Sequence, residues 1–493
     1  MIARLAGAVR LELRTELRYG IVLTALALTT GWTLALLAMP GWLARAIGPY
    51  LLVADTAAFG AFFIAALVLY ERVEGALAAL AASPLRFGEY LGVKLALLTL
   101  LSVGSAVPIM VAAFRGAAFR GGGGGLVVLL GVALISVLVL ALNAGLVASH
   151  RSLTDFLLVA PFPLVPLMLA PLLQLSGVVS HPLLYLVPTV GAADLVAAAT
   201  HPVSPPRIAG IVAYLLLWIA GAVWFARWRF VREFLRPGRV RMPAVGTRRA
   251  WPRSGWLVAY ARLELRAVTR SAMLLVVLVG PLLLAVALRL AYPWLEAGLA
   301  ARFGVTLAPY RPLLLATLVV LHVPLLCGMV GALLVLDDAD DRTLVVLRVS
   351  PVTLPRYLAW RGTVVAAVAA VSLTIAVPLS GLAPWSGLPA MLPALLLAAT
   401  QAPLIMLATA AYASNKVEGL ALIKLLGGIV TAVAPALWWL PTPWTWPLHL
   451  LPPAWVLDTL WHPTPQAIAG ATVTTATAMA LLARRTLRRI SSA

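Results

Sequence analysis

Long apolar runs alternate with short polar segments along the whole chain. About twelve runs are close to 20 residues long, the length that a helix needs to cross a bilayer. They lack the alternating pattern of barrel strands, and in lipid a helix satisfies its own backbone polar groups. The pattern predicts an all-α, polytopic membrane protein with spans near 20–39, 51–70, 93–113, 126–148, 153–175, 208–227, 272–291, 313–336, 362–382, 389–412, 419–440 and 466–483.

The polar segments of the first half recur in the second half. The pentapeptide Arg-Leu-Glu-Leu-Arg occurs at 10–14 and at 262–266, each time just before the first apolar run of its half. This pentapeptide is the first of three landmarks that recur in the same order. The second is a charged segment after the second apolar run, and the third is a Pro-containing segment before the last run. This order predicts two parallel six-helix repeats, and not the inverted repeat of many secondary transporters. We divide the chain into residues 1–226, a basic linker at 227–256, and residues 257–493.

The second landmark gives the most detailed correspondence. Residues 71–94 align with residues 338–361 at an offset of 267 positions. The alignment superimposes acidic, tyrosine and basic positions of the two halves: Glu71 on Asp338, Glu74 on Asp341, Ser83 on Ser350, Pro84 on Pro351, Tyr90 on Tyr357 and Lys94 on Arg361.

Composition and charge fit a membrane protein. Of the 493 residues, 62% are hydrophobic and 11% are charged, against about a quarter charged in soluble domains. The net charge of +20 is explained by the positive-inside bias of membrane proteins. When the N-terminus is placed inside, all but seven of the 37 Lys and Arg fall on the cytoplasmic side. We therefore expect a multi-pass protein of the cell (inner or plasma) membrane with both termini cytoplasmic, and no nucleic-acid partner.

A short amphipathic helix is predicted before the first span of each half. Leu5, Val9, Leu13 and Leu17 form one apolar stripe with charges at its borders, as in helices that lie along the membrane surface. These charges could merely set topology, but their repetition favours a dedicated elbow helix. The elbow positions are Arg10, Glu12 and Arg14 in the first half and Arg262, Glu264 and Arg266 in the second.

The charged segment after each second span predicts a cytoplasmic protrusion. Charges cost about 2.5 to 3.5 kcal/mol each at mid-membrane, so they mark where the helix leaves the bilayer. The Ser-Pro pair that follows is typical of a helix start. An ordinary solvated loop is the alternative. The residues concerned are Glu71, Arg72, Glu74, Ser83 and Pro84, and Asp337, Asp338, Asp340, Asp341, Arg342, Ser350 and Pro351.

Sites for bound groups are sparse in the sequence. The sequence has no GxxxxGK[ST] phosphate loop, the six histidines lack metal-ligand spacing, and the acidic run 337–341 lacks the ligand pattern of a calcium loop. We expect a transporter component and not an enzyme, with no metal or cofactor bound by this chain. Asn143 and Gln401 lie in corresponding fourth spans, where they could face a central cavity or hydrogen-bond between helices.

The repeated elbow, acidic Ser-Pro and pre-final-span segments together resemble the ABC type-2 permeases, the membrane domains of one class of ATP-binding-cassette exporters. The stretch Asn415-Lys416-Val417-Glu418-Gly419 is similar to one in actinobacterial permeases labelled as fluoroquinolone exporters. The resemblance implies two permease units in one chain, each protrusion acting as a coupling helix on an ATPase subunit.

Such a permease works with two copies of a separate ATPase that holds ATP and Mg²⁺. The resemblance implies export of a small amphipathic molecule, drug-like or lipid-like, across a lipid membrane. The alternative is an ion-coupled secondary transporter, which usually keeps a carboxylate near mid-membrane to carry the coupling ion. The sequence offers no good candidate for that carboxylate.

Overall fold

The computed structural model describes residues 2–76, 86–115, 124–150, 156, 159–176, 181–200, 203–234, 272–304, 306–340 and 353–492. These residues form helices and connecting turns, and none of them lies in a β-strand. The predicted all-α polytopic fold is confirmed. The first half contains α1 (Ile2–Arg18), α2 (Ile21–Ala38), α3 (Gly41–Val73), α4 (Phe87–Phe114), α5 (Gly124–Val147), α6 (Pro161–Ser176), α7 (Thr189–Ala197) and α8 (Pro205–Phe234).

The second half is built from the same sequence of long and short helices. Its helices are α9 (Ala272–Phe303), α10 (Arg311–Leu315), α11 (His322–Asp340), α12 (Leu354–Leu379), α13 (Leu388–Ala399), α14 (Gln401–Tyr412), α15 (Lys416–Trp439), α16 (Pro452–Trp461) and α17 (Pro465–Ser492). Ten helical segments of the described chain are long and apolar enough to cross a membrane. The predicted second and fifth spans fall in the 33-residue α3 and the 16-residue α6, which are not among those ten, so the number of twelve stays a prediction.

Helix starts repeat at the offset that the sequence alignment gave. The third-span helices begin at Phe87 and Leu354, 267 positions apart. The packing repeats as well. In the first half α5 packs against α3, α4 and α8, and in the second half α14 packs in the same way against α11, α12 and α17. The fourth span is therefore the centre of each half.

A second repetition lies before each last span, at an offset of 264. A short 3₁₀-helix, Pro182–Leu186 or Trp446–Leu450, precedes α7 or α16. The side chains match too, because Tyr185 donates a 2.6 Å hydrogen bond to Asp194, and His449 Nε2 lies 2.7 Å from Asp458. The weakest of the three sequence landmarks thus corresponds to a shared local structure.

Two predicted spans of the second half are interrupted. The span at 313–336 contains a π-helical turn, Ala316–Val320, where the N–H of Leu321 bonds the carbonyl of Ala316. Pro324 follows, and its ring would clash with the carbonyl four residues earlier in a regular α-helix. The span at 389–412 is divided between α13 and α14 at Thr400.

The two halves meet through α15, which packs along α2 and α3. A Cβ at Gly428 would overlap the side chain of Leu28, so a glycine is what permits this close approach. The Thr24 hydroxyl reaches the carbonyl of Ala421 at 3.4 Å. No comparably extensive contact joins the symmetry-related α6 and α9 within the described residues. The halves therefore share a fold but pack together asymmetrically.

The bundle has two ends, which we call the α1 end and the far end. Helix α1 packs at the start of α4, and Arg489 in the last turns of α17 donates a 2.7 Å hydrogen bond to Ala410 near the end of α14. Both described termini thus lie at the α1 end. Helix α8 continues to Phe234, so the last span of the first half runs into the first residues of the predicted linker, while 235–271 lie outside the described residues.

Candidate functional site

The end of the second span is tied to the start of the third in the first half. Glu71, near the end of α3, accepts a short hydrogen bond from the Tyr90 hydroxyl. Its other oxygen lies 2.9 Å from the ammonium of Lys94, two turns into α4. Lys94 is fully buried. A buried ammonium needs close partners, because its desolvation costs several kcal/mol.

Helix α1 supplies the second partner of Lys94. The carboxylate of Glu12 lies 2.6 Å from Lys94 Nζ and is buried, whereas Leu13 and Leu17 on the predicted apolar stripe are exposed. The helix thus turns its acidic flank to the protein and leaves its leucines on the outside, as a helix lying on a lipid surface would. We call Glu12, Glu71, Tyr90 and Lys94 the first cluster.

Glu16 lies one turn further along α1 and has no such partner. Its side chain is 2% exposed, and its Oε1 atom is buried without a hydrogen bond. Burial, with the nearby charge of Glu12, raises the pKa of Glu16 to about 7. Burial also raises the pKa of Glu12, although Lys94 opposes the shift. Glu16 can therefore bind or release a proton near neutral pH.

The second half repeats the arrangement at the aligned positions. Asp338 accepts a short hydrogen bond from the Tyr357 hydroxyl and a 2.8 Å hydrogen bond from Arg361 Nη2. Arg361 Nε also reaches the Tyr357 oxygen at 3.4 Å. We call Asp338, Tyr357 and Arg361 the second cluster. Each cluster joins an acid, a tyrosine and a base across the segment that links the second and third spans.

The remaining predicted coupling residues differ between the halves. Arg72 donates to the carbonyls of Ala148 and His150 at 2.8 and 2.6 Å, which satisfies the end of α5. The Tyr70 hydroxyl donates a 2.8 Å hydrogen bond to Glu74.

In the second half, Asp337 forms a close ion pair with Lys416 at the start of α15, and Asp340 lies 3.8 Å from the same ammonium. The acidic end of α11 is thus fastened to the fifth span as well.

The stretch 415–419 explains how Lys416 is placed. The Asn415 side chain accepts 3.0 Å hydrogen bonds from the N–H groups of Val417 and Glu418, which makes it the N-cap of α15. Glu418 in turn accepts a 2.6 Å hydrogen bond from the Ser414 N–H. A Cβ at Gly419 would overlap Leu336, so this glycine lets α15 approach α11. The motif therefore sets the position of α15 against the acidic end of α11.

The two predicted cavity residues both lie in buried helix contacts. Asn143 Nδ2 donates to the carbonyl of Val139 at 2.8 Å, and Gln401 Nε2 donates to the Thr475 hydroxyl on α17 at 3.1 Å. Gln401 thus makes the interhelical hydrogen bond that was its alternative role. The Oδ1 of Asn143 and the Oε1 of Gln401 are buried without a partner. A role in a cavity stays a prediction for both.

Several predicted site residues lie outside the described residues. These are Ser83, Pro84, Asp341, Arg342, Ser350, Pro351, Arg262, Glu264 and Arg266. Of the predicted elbow arginines that are described, Arg10 and Arg14 are exposed. No group of three His, Cys, Asp or Glu side chains within the described part of the chain is placed to hold a metal ion.

The predicted site includes only some of the side chains that form these contacts. Tyr90, Lys94, Tyr357 and Arg361 align between the halves and are not among the predicted site residues, although their shared offset with Glu71 and Asp338 is a usable signal. Glu16 gave no signal, because a glutamate on an amphipathic helix ordinarily faces water.

Comparison with known proteins gives the class and the family. An all-helical bundle with ten helical segments long and apolar enough to cross a membrane, in which the same packing occurs twice, defines a polytopic membrane protein with an internal repeat within the described residues. Residues 3–236 match the model of the fluoroquinolones export permease protein family, and residues 264–487 match that of the Rv2686c-like fluoroquinolones export permease proteins.

Two relatives come from Mycobacterium tuberculosis (strain ATCC 25618 / H37Rv). The fluoroquinolones export permease protein Rv2687c is 34% identical over 233 residues, which is 47% of this chain and 96% of the relative. The fluoroquinolones export permease protein Rv2686c is 30% identical over 212 residues, 43% of this chain and 83% of the relative. No solved structure matches the chain. The chain belongs to the fluoroquinolones export permease protein family and is a multi-pass membrane permease for export.

Proposed function

We propose that this chain is the membrane-spanning part of an ATP-binding-cassette exporter and works with two copies of a separate ATPase subunit. The observation that carries the proposal is the repetition of the acid, tyrosine and base cluster in both halves, at the same end of the bundle. Each cluster connects the two sides of a predicted protrusion, within residues 71–94 and 338–361. A protrusion whose two sides are connected in this way can transmit a movement of a partner subunit to the second and third spans.

Charge distribution supports a cytoplasmic location for the α1 end. The positively charged residues concentrate at the termini and between the halves, which the positive-inside rule places in the cytoplasm of the cell membrane. Both protrusions then face the compartment that contains ATP. Since the sequence has no phosphate loop, we assign the bound ATP and Mg²⁺ to the partner subunits.

The substrate that we propose is a small amphipathic molecule moved out of the cytoplasm. The relatives Rv2686c and Rv2687c are named for export of fluoroquinolones, and these names favour a drug-like substrate. Two half-length relatives that match this chain also support the division into two permease units, because each corresponds in length to one half.

Site-directed crosslinking tests the ATPase contact. The lone cysteine, Cys327, is buried, so a new surface cysteine can be labelled selectively. We expect Ser83→Cys and Ser350→Cys each to crosslink to a candidate ATPase subunit from the same genome when a short bifunctional reagent is added to membranes. Ser204→Cys, an exposed position at the far end, is the control. Equal crosslinking at all three positions, or none at 83 and 350, would contradict the assignment.

One observation from the structure favours the alternative function, ion-coupled secondary transport. Glu16 is a buried carboxyl with an unpartnered oxygen, next to the first cluster. A proton-coupled mechanism needs a carboxyl that binds and releases a proton, although Glu16 lies on α1 and not on a membrane-spanning helix. Substrate movement driven by a proton gradient without any ATPase, and lost in Glu16→Gln, would favour this alternative over the exporter.

A further inference from the structure

A cavity of about 230 Å³ lies at the α1 end of the first half, between α1, α3 and α4. Its polar lining consists mainly of three carboxylates and three tyrosines: Glu12, Glu71, Glu74, Tyr19, Tyr70 and Tyr90. Of the two clusters, only the first contributes residues to the lining of this cavity. We name it the tyrosine pocket.

We propose that the tyrosine pocket binds the ammonium group of an amphipathic amine, whose apolar part remains in the surrounding lipid. The inference names the substrate class of the proposed exporter and rests on that function for its role in transport. Binding itself can be measured without an ATPase.

One wall of the pocket already binds an ammonium group. Lys94 Nζ lies between the carboxylates of Glu12 and Glu71 and 5.3 Å from the centre of the Tyr90 ring. Carboxylates at hydrogen-bonding distance and the face of an aromatic ring are the two features that bind organic cations in proteins. The contacts of Lys94 thus show how these residues bind an ammonium group.

Other residues of the lining offer the same features, and the lining within the described residues includes no Lys or Arg. Tyr19 and Tyr70 pack edge to face with ring centres 5.1 Å apart, and the Tyr70 hydroxyl orients Glu74 through its 2.8 Å hydrogen bond. Three carboxylates line the pocket, while Lys94 is the one base of the first cluster. The pocket therefore carries an excess of negative charge that a cationic ligand would neutralise.

Size and surroundings restrict the ligand to an amphipathic amine. Pockets that enclose a drug-sized molecule measure about 300 to 1,000 Å³, so this one holds a headgroup only. Leu11, which also lines the pocket, is 69% exposed, and the neighbouring leucines of α1 are exposed as well. These leucines are suited to contact lipid, which places the pocket beside the membrane surface.

The second half lacks two of the three tyrosines of this site. At the repeat offsets, Ser271 stands in place of Tyr19 and Asp337 in place of Tyr70, and Asp337 is paired with Lys416. The proposal therefore assigns one ammonium site per chain, in the first half.

Binding of a fluorescent amphipathic cation tests the proposal. Full-length protein in dodecyl maltoside micelles is titrated with trimethylammonium-diphenylhexatriene, and energy transfer from the tryptophans is recorded. The neutral parent diphenylhexatriene is the control for partitioning of the probe into the micelle. We expect saturable binding of the charged probe and non-saturable uptake of the neutral one. Saturable binding of both with equal affinity overturns the proposal.

Variants locate the site. Glu74 is exposed, so Glu74→Gln should keep the fold and weaken binding about fivefold, and Tyr19→Leu with Tyr70→Leu should weaken it about tenfold. Glu89→Gln is the matched control, because Glu89 pairs with Arg4 at the same end but does not line the pocket. Unchanged affinity in Glu74→Gln, or an equal loss in Glu89→Gln, overturns the assignment.

Competition distinguishes the two sources of the ammonium. Displacement by dodecylammonium but not by phosphatidylethanolamine indicates a soluble amine as substrate, and displacement by phosphatidylethanolamine indicates a lipid headgroup. Failure of both to displace the probe overturns the proposal. Binding without ATP-dependent transport would support the pocket and contradict the exporter, so the two failures can be told apart.

Discussion

The two clusters at the α1 end share a geometry and differ in burial. In the first, the ammonium of Lys94 is fully buried and has two carboxylate partners, one of them on α1. In the second, the side chains of Arg361 and Asp338 are 16% and 23% exposed. Buried ion pairs are costly to break because a charge is left without solvent, whereas exposed pairs contribute little. The first cluster therefore holds its half together more firmly, and the second can be rearranged at lower cost.

Removing the base from each cluster should show the largest difference. We expect Lys94→Met to lower the free energy of unfolding by about 3 to 5 kcal/mol, because Glu12 and Glu71 lose their buried partner. Arg361→Met should cost about 1 kcal/mol, since both side chains of the pair are partly exposed. Unfolding of the two variants in mixed micelles measures both. Equal costs would contradict the difference in burial.

The pH dependence of stability should show the next largest effect, through Glu16 beside the first cluster. Folding raises the pKa of Glu16 from its ordinary 4.5 to about 7, so the folded state holds this proton more tightly than the unfolded state. The stabilising effect is complete below pH 4.5 and is lost as the pH rises to about 7, a change of up to about 3 kcal/mol.

We expect Glu16→Gln to make unfolding less dependent on pH over this range. A slope that is the same in wild type and Glu16→Gln would show that Glu16 is not buried as described.

Removing the tyrosine hydroxyl should affect both clusters alike. Tyr90 and Tyr357 each donate to a carboxylate, and a hydrogen bond to a charged group contributes about 1.5 to 3 kcal/mol. Tyr90→Phe and Tyr357→Phe should therefore destabilise the protein by similar amounts, measured as above. A loss in one variant alone would indicate that the repeat is a resemblance of sequence without a shared function.

The N-cap of α15 should give the smallest effect. Asn415→Ala removes the two hydrogen bonds to the first turn and should cost about 1 kcal/mol, against a few tenths for Asn415→Gly. No first-half residue within the described chain binds its acidic cluster from the fifth span as Lys416 does. If Asn415→Ala also breaks the Asp337–Lys416 ion pair, the N-cap positions Lys416 for this pair.

The sequence predicted the helical fold and the pairing of equivalent positions, because apolar length and the constant offset of 267 are properties of the chain alone. It did not predict that Glu12 and Glu16 face the protein. That orientation depends on Lys94 of α4, a partner that is 82 residues away in the sequence from Glu12. The hydrogen bond of Gln401 to Thr475 likewise depends on a neighbouring helix that is 74 residues away in the sequence.

Transport by the reconstituted complex tests the central claim most directly. The chain and a candidate ATPase subunit are placed together in vesicles, and movement of an amphipathic amine is followed with and without ATP. We predict transport that requires both ATP and the ATPase, with two ATPase copies per chain. Transport by the chain alone, driven by a proton or sodium gradient and indifferent to ATP, would contradict the account.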